Sequence, residues 1–368
     1  MSETDIHTKK FLLDPYLDWC AGEGLPVVEG FAVDLKRVEP VAWARLGPGC
    51  RGAFVHLNGR GDFQAIHLIE LAPGASSEVI RHVWDDIYYV LSGHGSAKVE
   101  VAPGQSMSFE FGPHALFAPP LNAPHRLFNA SGSEALRIVS TNNSPLWVNL
   151  AHDARFIFGN PFVFENRVGV ESHWQGEGEF IEMSPGKHMW ETNFVPDLAS
   201  FELPEWQTRG AGSSNIKFIL ADSVMHAHCS EMAVGTYKKA HRHGAGAHVL
   251  AVTGTGYTLM WHEGDKDFMR HEWEHGFVFA PTEGLFHQHF NTSPEPARYL
   301  ACSLGSHRYP MTAAKVKRKR DPESNAKQGG LQIDYRDQDP RIHRLWLEEM
   351  AKTGVPSRMG HIFEEARL

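Results

Sequence analysis

The segment Ala240 to Gly256, AHRHGAGAHVLAVTGTG, sets two histidines one residue apart ahead of a turn, an apolar run and a Gly-x-Gly. In a strand, residues i and i+2 face the same way, so His241 and His243 offer two imidazoles side by side. A third, His287, stands in FAPTEGLFHQHFN (Phe279 to Asn291). Neutral imidazole nitrogens suit Fe(II), Zn, Cu or Ni, whereas Mg and Ca prefer oxygen shells. Three ligands on one face leave positions open opposite, as a bound substrate or dioxygen requires. His289, two after His287, shares its face and is expected to touch substrate.

The elements that must position these residues come from a repeat. Shifted by 161 residues, Gly74 to Gly95 (GASSEVIRHVWDDIYYVLSGHG) aligns without gaps on Gly235 to Gly256, placing His82 on His243, Gly93 on Gly254 and Gly95 on Gly256. A second block at an offset of 162 sets FAPPLNAPHRLFN (Phe117 to Asn129) on Phe279 to Asn291 and His125 on His287. Each half consists of short β-branched or aromatic runs punctuated by Gly, Pro and Asn, the pattern of sandwiches and barrels. Helices are expected only near the ends, in FLLDPYLDWCA and in Ile342 to Gly354, where Leu345, Leu347 and Met350 share a face.

The arrangement G-x5-H-x-H, then G, then P-x-G-x2-H-x3-N resembles the two-block signature of the cupins, and a chain with two copies resembles a bicupin. Gly235, His241, His243, Gly254, Pro281, Gly284, His287 and Asn291 match in order, with one extra residue between Pro281 and Gly284. The resemblance implies an all-β fold, two double-stranded β-helix (jelly-roll) barrels with short terminal helices. The expected division is a helical or extended segment at 1–64, a first barrel at 65–150, an inter-domain segment contributing strands at 151–224, a second barrel at 225–305, and a loop and helix at 306–368.

Cupins of this signature carry a glutamate after the second histidine, and the count back from Gly254 lands on Ala247 instead. His248, one residue on, turns inward only if the strand bulges; it is retained as a candidate catalytic residue or fourth ligand. In the first half the leading histidine is replaced by Ile80, while His82, Asp86 and His125 remain. A three-histidine site without the acid resembles the Fe(II) ring-cleaving dioxygenases of the gentisate and salicylate type. That resemblance implies O2 and a hydroxylated, carboxylated monocyclic aromatic as co-substrates, and a homodimer or homotetramer. The alternatives are a non-oxidative isomerase or hydrolase using Zn, Ni or Mn, and a ligand-binding bicupin without catalysis. For an acid substrate, Lys239 and Arg298 are the expected cationic contacts, with Lys238 beside them, and Tyr257 and Trp261 the expected aromatic wall, with Trp273 a further candidate.

Composition sets the outer bounds. The 368 residues, 42% hydrophobic and 21% charged with a net charge of −9, argue against general nucleic-acid binding. The basic run Lys315 to Arg320 reads as a solvated loop. No apolar run reaches membrane-spanning length and the N-terminus lacks a signal-peptide core, so the expectation is a cytoplasmic protein. Four widely spaced cysteines suggest neither a disulfide framework nor a thiolate zinc site.

Overall fold

The computed structural model describes residues 13–58, 63–244, 247–311, 323–360 and 362; the basic run at 315–320 lies outside them. Two jelly-roll barrels account for most of the described residues. The larger sheet of the first barrel runs in the order 27–30, 50–57, 65–71, 136–142, 86–92, 116–117 and 194–195, faced by a sheet ordered 125–129, 95–102, 105–111. The second barrel repeats the plan: one sheet ordered 179–184, 187–192, 213–220, 225–232, 297–304, 248–253, 277–279 and 32–34, the other 269–274, 255–261, 286–291, 240–241 and 332–333. The first barrel therefore begins well ahead of residue 65, since Cys50–Leu57 is one of its full strands.

The barrels exchange edge strands. Ala32–Asp34 pairs with Phe277–Phe279 of the second barrel, and Phe194–Val195 returns to pair with Leu116–Phe117 of the first. Pairing covers edges that would otherwise template aggregation. Between the barrels the outer faces of the two large sheets meet: Val55, Leu68, Tyr89 and Val139 pack in one buried cluster with Phe218, Leu250, Leu300 and Cys302.

The terminal helices form at Pro15–Glu23 and Pro340–Thr353, each started by an aspartate whose side chain accepts a backbone N–H in the first turn and ended by a left-handed glycine. The buried face of the second is Ile342, Trp346 and Met350 rather than the expected set, and Leu347 is exposed. Two further short helices, Ser144–Ala151 and Ala154–Gly159, join the barrels, where none was expected. Asp153 caps the latter by accepting from Arg155 N and Phe156 N. Among the described residues no helix is long and apolar enough to cross a membrane.

The doubled Gly-x-Gly has a steric cause. Gly93 and Gly254 sit at φ +88° and +74°, where a side chain is strained. A Cβ at Gly95 would lie 2.3 Å from Phe128 O, and one at Gly256 2.0 Å from Phe290 O. Gly256→Ala is expected to cost about 1–3 kcal/mol or more, the range for overpacked cores, read as a lowered denaturation midpoint; an unchanged midpoint would show that the paired strands 255–261 and 286–291 can part without cost.

Candidate metal centre

The geometry of the second barrel starts from one register. Tyr237 is bridged to Phe290 and His241 pairs with His287, so three residues on one strand oppose two on the other. The extra residue is a β-bulge. It lets Lys238, His241 and His243 point into the barrel while Lys239, Ala240 and Arg242 point out. His287 and His289 share the inner face of the partner strand, and Thr258 lies opposite His289 on the next strand.

One ring nitrogen from each of His241, His243 and His287 falls within 4.8 Å of the others, the one such group of potential ligands among the described residues. Ring centroids are 4.2 Å apart for His241 and His287, and 4.8 Å for His243 and His287. His287 Nδ1 lies 3.2 Å from Leu285 O and His243 Nδ1 lies 2.8 Å from Gly244 O. Donation of the Nδ1–H to a carbonyl leaves Nε2 bare for a cation, the usual way a ligating imidazole is oriented. Buried His241 Nδ1 has no hydrogen-bond partner. Burial holds His241 and His287 well below the usual histidine range, with Arg209 next for His241 and His243 next for His287. Neutral, buried and convergent imidazoles fit a first-row divalent ion.

His289 stays outside this group but shares the inner face with His287, the two ring centroids 5.5 Å apart. Its Nδ1 is 2.8 Å from Thr258 Oγ1, which also accepts from Trp273 Nε1 at 3.1 Å. The assignment that satisfies all three groups has the threonine donating to Nδ1, which puts the imidazole proton on Nε2. Trp273 is therefore the indole on the inner side.

Several sequence expectations need correction. Tyr257 and Trp261 alternate with Thr258 and Met260 and so face outward; Tyr257 stacks on Phe290 at 4.5 Å, in a cluster with Trp346 of the C-terminal helix, and Trp261 packs on Phe286 and Phe268. Neither lines the site. Lys239 turns outward to an ion pair with Asp334 at 2.9 Å. Arg298 is bound to Glu231 at 2.6 Å and to the carbonyls of Leu198 and Phe201. His248 pairs with Cys302 in a continuous strand, on the face buried between the barrels, while Ala247 takes the inner side. Without a bulge at that point, His248 is removed from the metal group.

Of the expected cations only Lys238 reaches the interior, and His226, His228 and Lys217, which join it, escaped the sequence reading. Lys238 is 2% exposed, bonded through Nζ to Ser230 Oγ, with Nζ 4.9 Å from the Tyr299 ring centroid. Tyr299 in turn lies 4.9 Å from the His289 ring. Burial, reinforced by Arg209, lowers the Lys238 amine to about 7. His226 and His228 alternate inward on Met225–Met232, 3.0 Å apart, and Lys217 pairs with His228 on the adjacent strand. The charges acting on His228 and His289 come from Lys217, Lys238, Arg209 and His243. The signal available in the sequence was the second His-x-His, MHAHCSEM, at 225–232.

The first barrel shows what the same plan becomes with other residues. Ile80 is bridged to His125 just as His241 is to His287. Asp86 is held by His82 Nε2 at 2.9 Å, Tyr88 OH at 3.0 Å and Ser140 Oγ at 2.5 Å. Burial alone would raise the Asp86 carboxyl, but His82 and these hydrogen bonds hold it down to about 2. Its ligand-like groups are satisfied by one another.

His287→Ala or His241→Ala is expected to lose at least 100-fold in metal affinity by metal analysis after dialysis, while His248→Ala keeps full stoichiometry; metal loss in the latter would reinstate His248 as a ligand. Lys238 contributes a pH signature of its own. Its folded value lies below the usual 10.5, so the cost of burying the charge is fully present below about pH 7 and fades as pH rises toward 10.5. Lys238→Met is expected to stabilise by about 2 kcal/mol at pH 6 and by little at pH 10, measured by denaturant melts; an equal gain at both would refute the depressed amine.

The family model described as auxin binding protein matches residues 51–158, within the first barrel and the helices that follow it. No curated protein sequence matches the chain. Among solved structures, the chain is similar to a variant of Bacillus subtilis oxalate decarboxylase (14% identity, 76% of this chain and 78% of that one, TM-score 0.49). It is similar also to the same enzyme in work on its Mn(II) centers (15% identity, 76% and 78%, TM-score 0.48). In fold the chain is two jelly-roll β-barrels in tandem, each with its own Gly-x-Gly and His-x3-Asn segments.

Proposed function

We propose that the second barrel is a mononuclear metal centre that binds a small carboxylate as an anion and transforms it in a non-oxidative reaction of the lyase or isomerase kind. The observation that carries this reading is the pairing of three convergent imidazoles with the buried amines of Lys217 and Lys238 and the half-buried guanidinium of Arg209, and no acidic ligand among them. Buried charge is costly unless compensated, and an anionic substrate compensates it. A bound divalent ion would supply a Lewis acid for a substrate oxygen. Arg209 and Lys217 draw in and orient the carboxylate. The Lys238 amine, at about 7, can both release and take up a proton at neutral pH, the property required of a general acid–base. Tyr299, Phe279 and Trp273 pack around His289 and its partner Thr258 and keep water from the interior.

A second reading, Fe(II)-dependent ring cleavage of a hydroxylated aromatic acid by O2, draws on the all-imidazole ligand set. Its support is narrower than the sequence implied, because Tyr257, Trp261, Lys239 and Arg298 all face away from the cavity.

The two readings part on oxygen. Protein loaded in turn with Fe(II), Mn(II) and Zn(II) is offered small di- and hydroxycarboxylates and hydroxybenzoates with and without O2. Turnover indifferent to O2 is expected, with a kcat/KM limb near pH 7 that vanishes in Lys238→Met. Product formation coupled one-to-one to O2 uptake would overturn the non-oxidative reading and establish the second.

A further inference from the structure

The strand that carries His241 is bounded on one side by the strand of His287 and on the other by a segment from near the C-terminus. Ala240 pairs with Ile333 and His241 with Gln332. Arg242 N donates to Leu331 O at 2.9 Å, and Lys239 Nζ meets Asp334 at 2.9 Å. The same segment fastens the turn that carries Arg209. Thr208 Oγ1 donates to Glu323, and Ala211 N donates to the Tyr335 hydroxyl, which in turn donates to Tyr237 O.

Gln332 stands where these contacts meet, 1% exposed. Its Nε2 donates to Thr208 O at 3.0 Å and to Glu323 O at 3.2 Å, which leaves Oε1 to accept from Arg209 at 3.3 Å. The Arg209 guanidinium lies 5.4 Å from the centroid of the Trp206 ring, and Lys217 Nζ lies 5.3 Å from that ring. The charge of Arg209 bears on His241, His289 and Lys238. An amide suits this place. Its oxygen takes a guanidinium N–H without cancelling the charge, whereas a carboxylate would form an ion pair and neutralise it. A long side chain loses rotamer freedom when an anion fixes it; one already held has lost that freedom before the anion arrives.

We propose that Gln332 is a positioning residue for the metal centre: its side chain aims the Arg209 guanidinium at the bound anion while its backbone braces the strand of His241. The assignment rests on the reading of the second barrel as a metal centre that binds a carboxylate, and it gives the C-terminal segment a part in substrate affinity.

The test loads the full-length protein with Co(II), whose visible absorption reports its ligands, and titrates it with malonate, followed by that absorption and by calorimetry. Wild-type protein should saturate at one malonate per chain. Gln332→Met and Gln332→Glu should each keep the Co(II) stoichiometry and the anion-free spectrum, and weaken malonate at least tenfold. Arg209→Leu should weaken it as much, and adding Gln332→Met to Arg209→Leu should cost nothing more, the coupling of two residues that act together. Lys327→Ala, which removes an exposed ion pair to Asp337 in the same segment, should leave affinity unchanged. If Gln332→Met does not fold, Gln332→Glu, of the native shape, decides. The proposal is overturned if the Gln332 variants bind malonate like wild type or lose Co(II). It is overturned equally if Gln332→Met weakens malonate as much without Arg209 as with it, which makes Gln332 a structural support alone. Wild-type protein that takes up Co(II) but no malonate at millimolar concentration overturns the carboxylate reading itself, and this assignment with it.

Discussion

The second barrel depends on the pairing of His241 with His287 across two antiparallel strands, together with the extra residue that precedes it. Side chains in a strand alternate faces with a period of two, so a single inserted residue reverses every assignment on one side of it. Upstream of the bulge Lys238 faces in and Lys239 faces out; downstream His241 and His243 face in. Had the strand run without the bulge, Lys239 would have been the interior amine, with its neighbour paired to Asp334. The rest of the site follows: Thr258 meets His289 because their strands are in register, and Trp273 reaches Thr258 from the strand beyond.

The two barrels show how much chemistry a shared backbone leaves open. At equivalent points the first has Ile80 and Asp86, the second His241 and Ala247. With the acid and without the leading imidazole, the first barrel closes its polar groups on one another around a carboxylate held in its charged form. With the imidazole and without the acid, the second gathers Lys217, Lys238 and Arg209 near neutral imidazoles, and burial of the charged groups is costly. Such a cost lowers stability and is of the kind that functional sites carry. At Lys238, burial and then Arg209 lower the amine from its usual value.

Burial on both faces is why aromatic residues misled the sequence reading. A sheet with one wet face alternates apolar and polar residues, and the pattern tells inside from outside. Here the C-terminal helix lays Trp346 over the outer face of the 255–261 strand, and the opposing barrel covers the outer face of the 248–253 strand. Tyr257, Trp261 and His248 are therefore as buried as the groups within the cavity, and residue type alone did not separate the two sides.

By itself the sequence determined the repeat, the all-β character, the Gly-x-Gly pairs and the three imidazoles, because each is set by local spacing: period two for His-x-His, and steric need for the glycines. It also contained the parity argument that turns His248 away once Ala247 faces in. Tertiary structure alone decided which of Lys238 and Lys239 enters the barrel, which aromatics line it, and that Arg298 is taken by Glu231. The convergence of Lys217, Arg209 and His228 on the site was equally hidden. Those outcomes rest on a bulge, on which neighbouring element covers each face, and on pairings between strands distant in the chain, none of which local residue patterns encode.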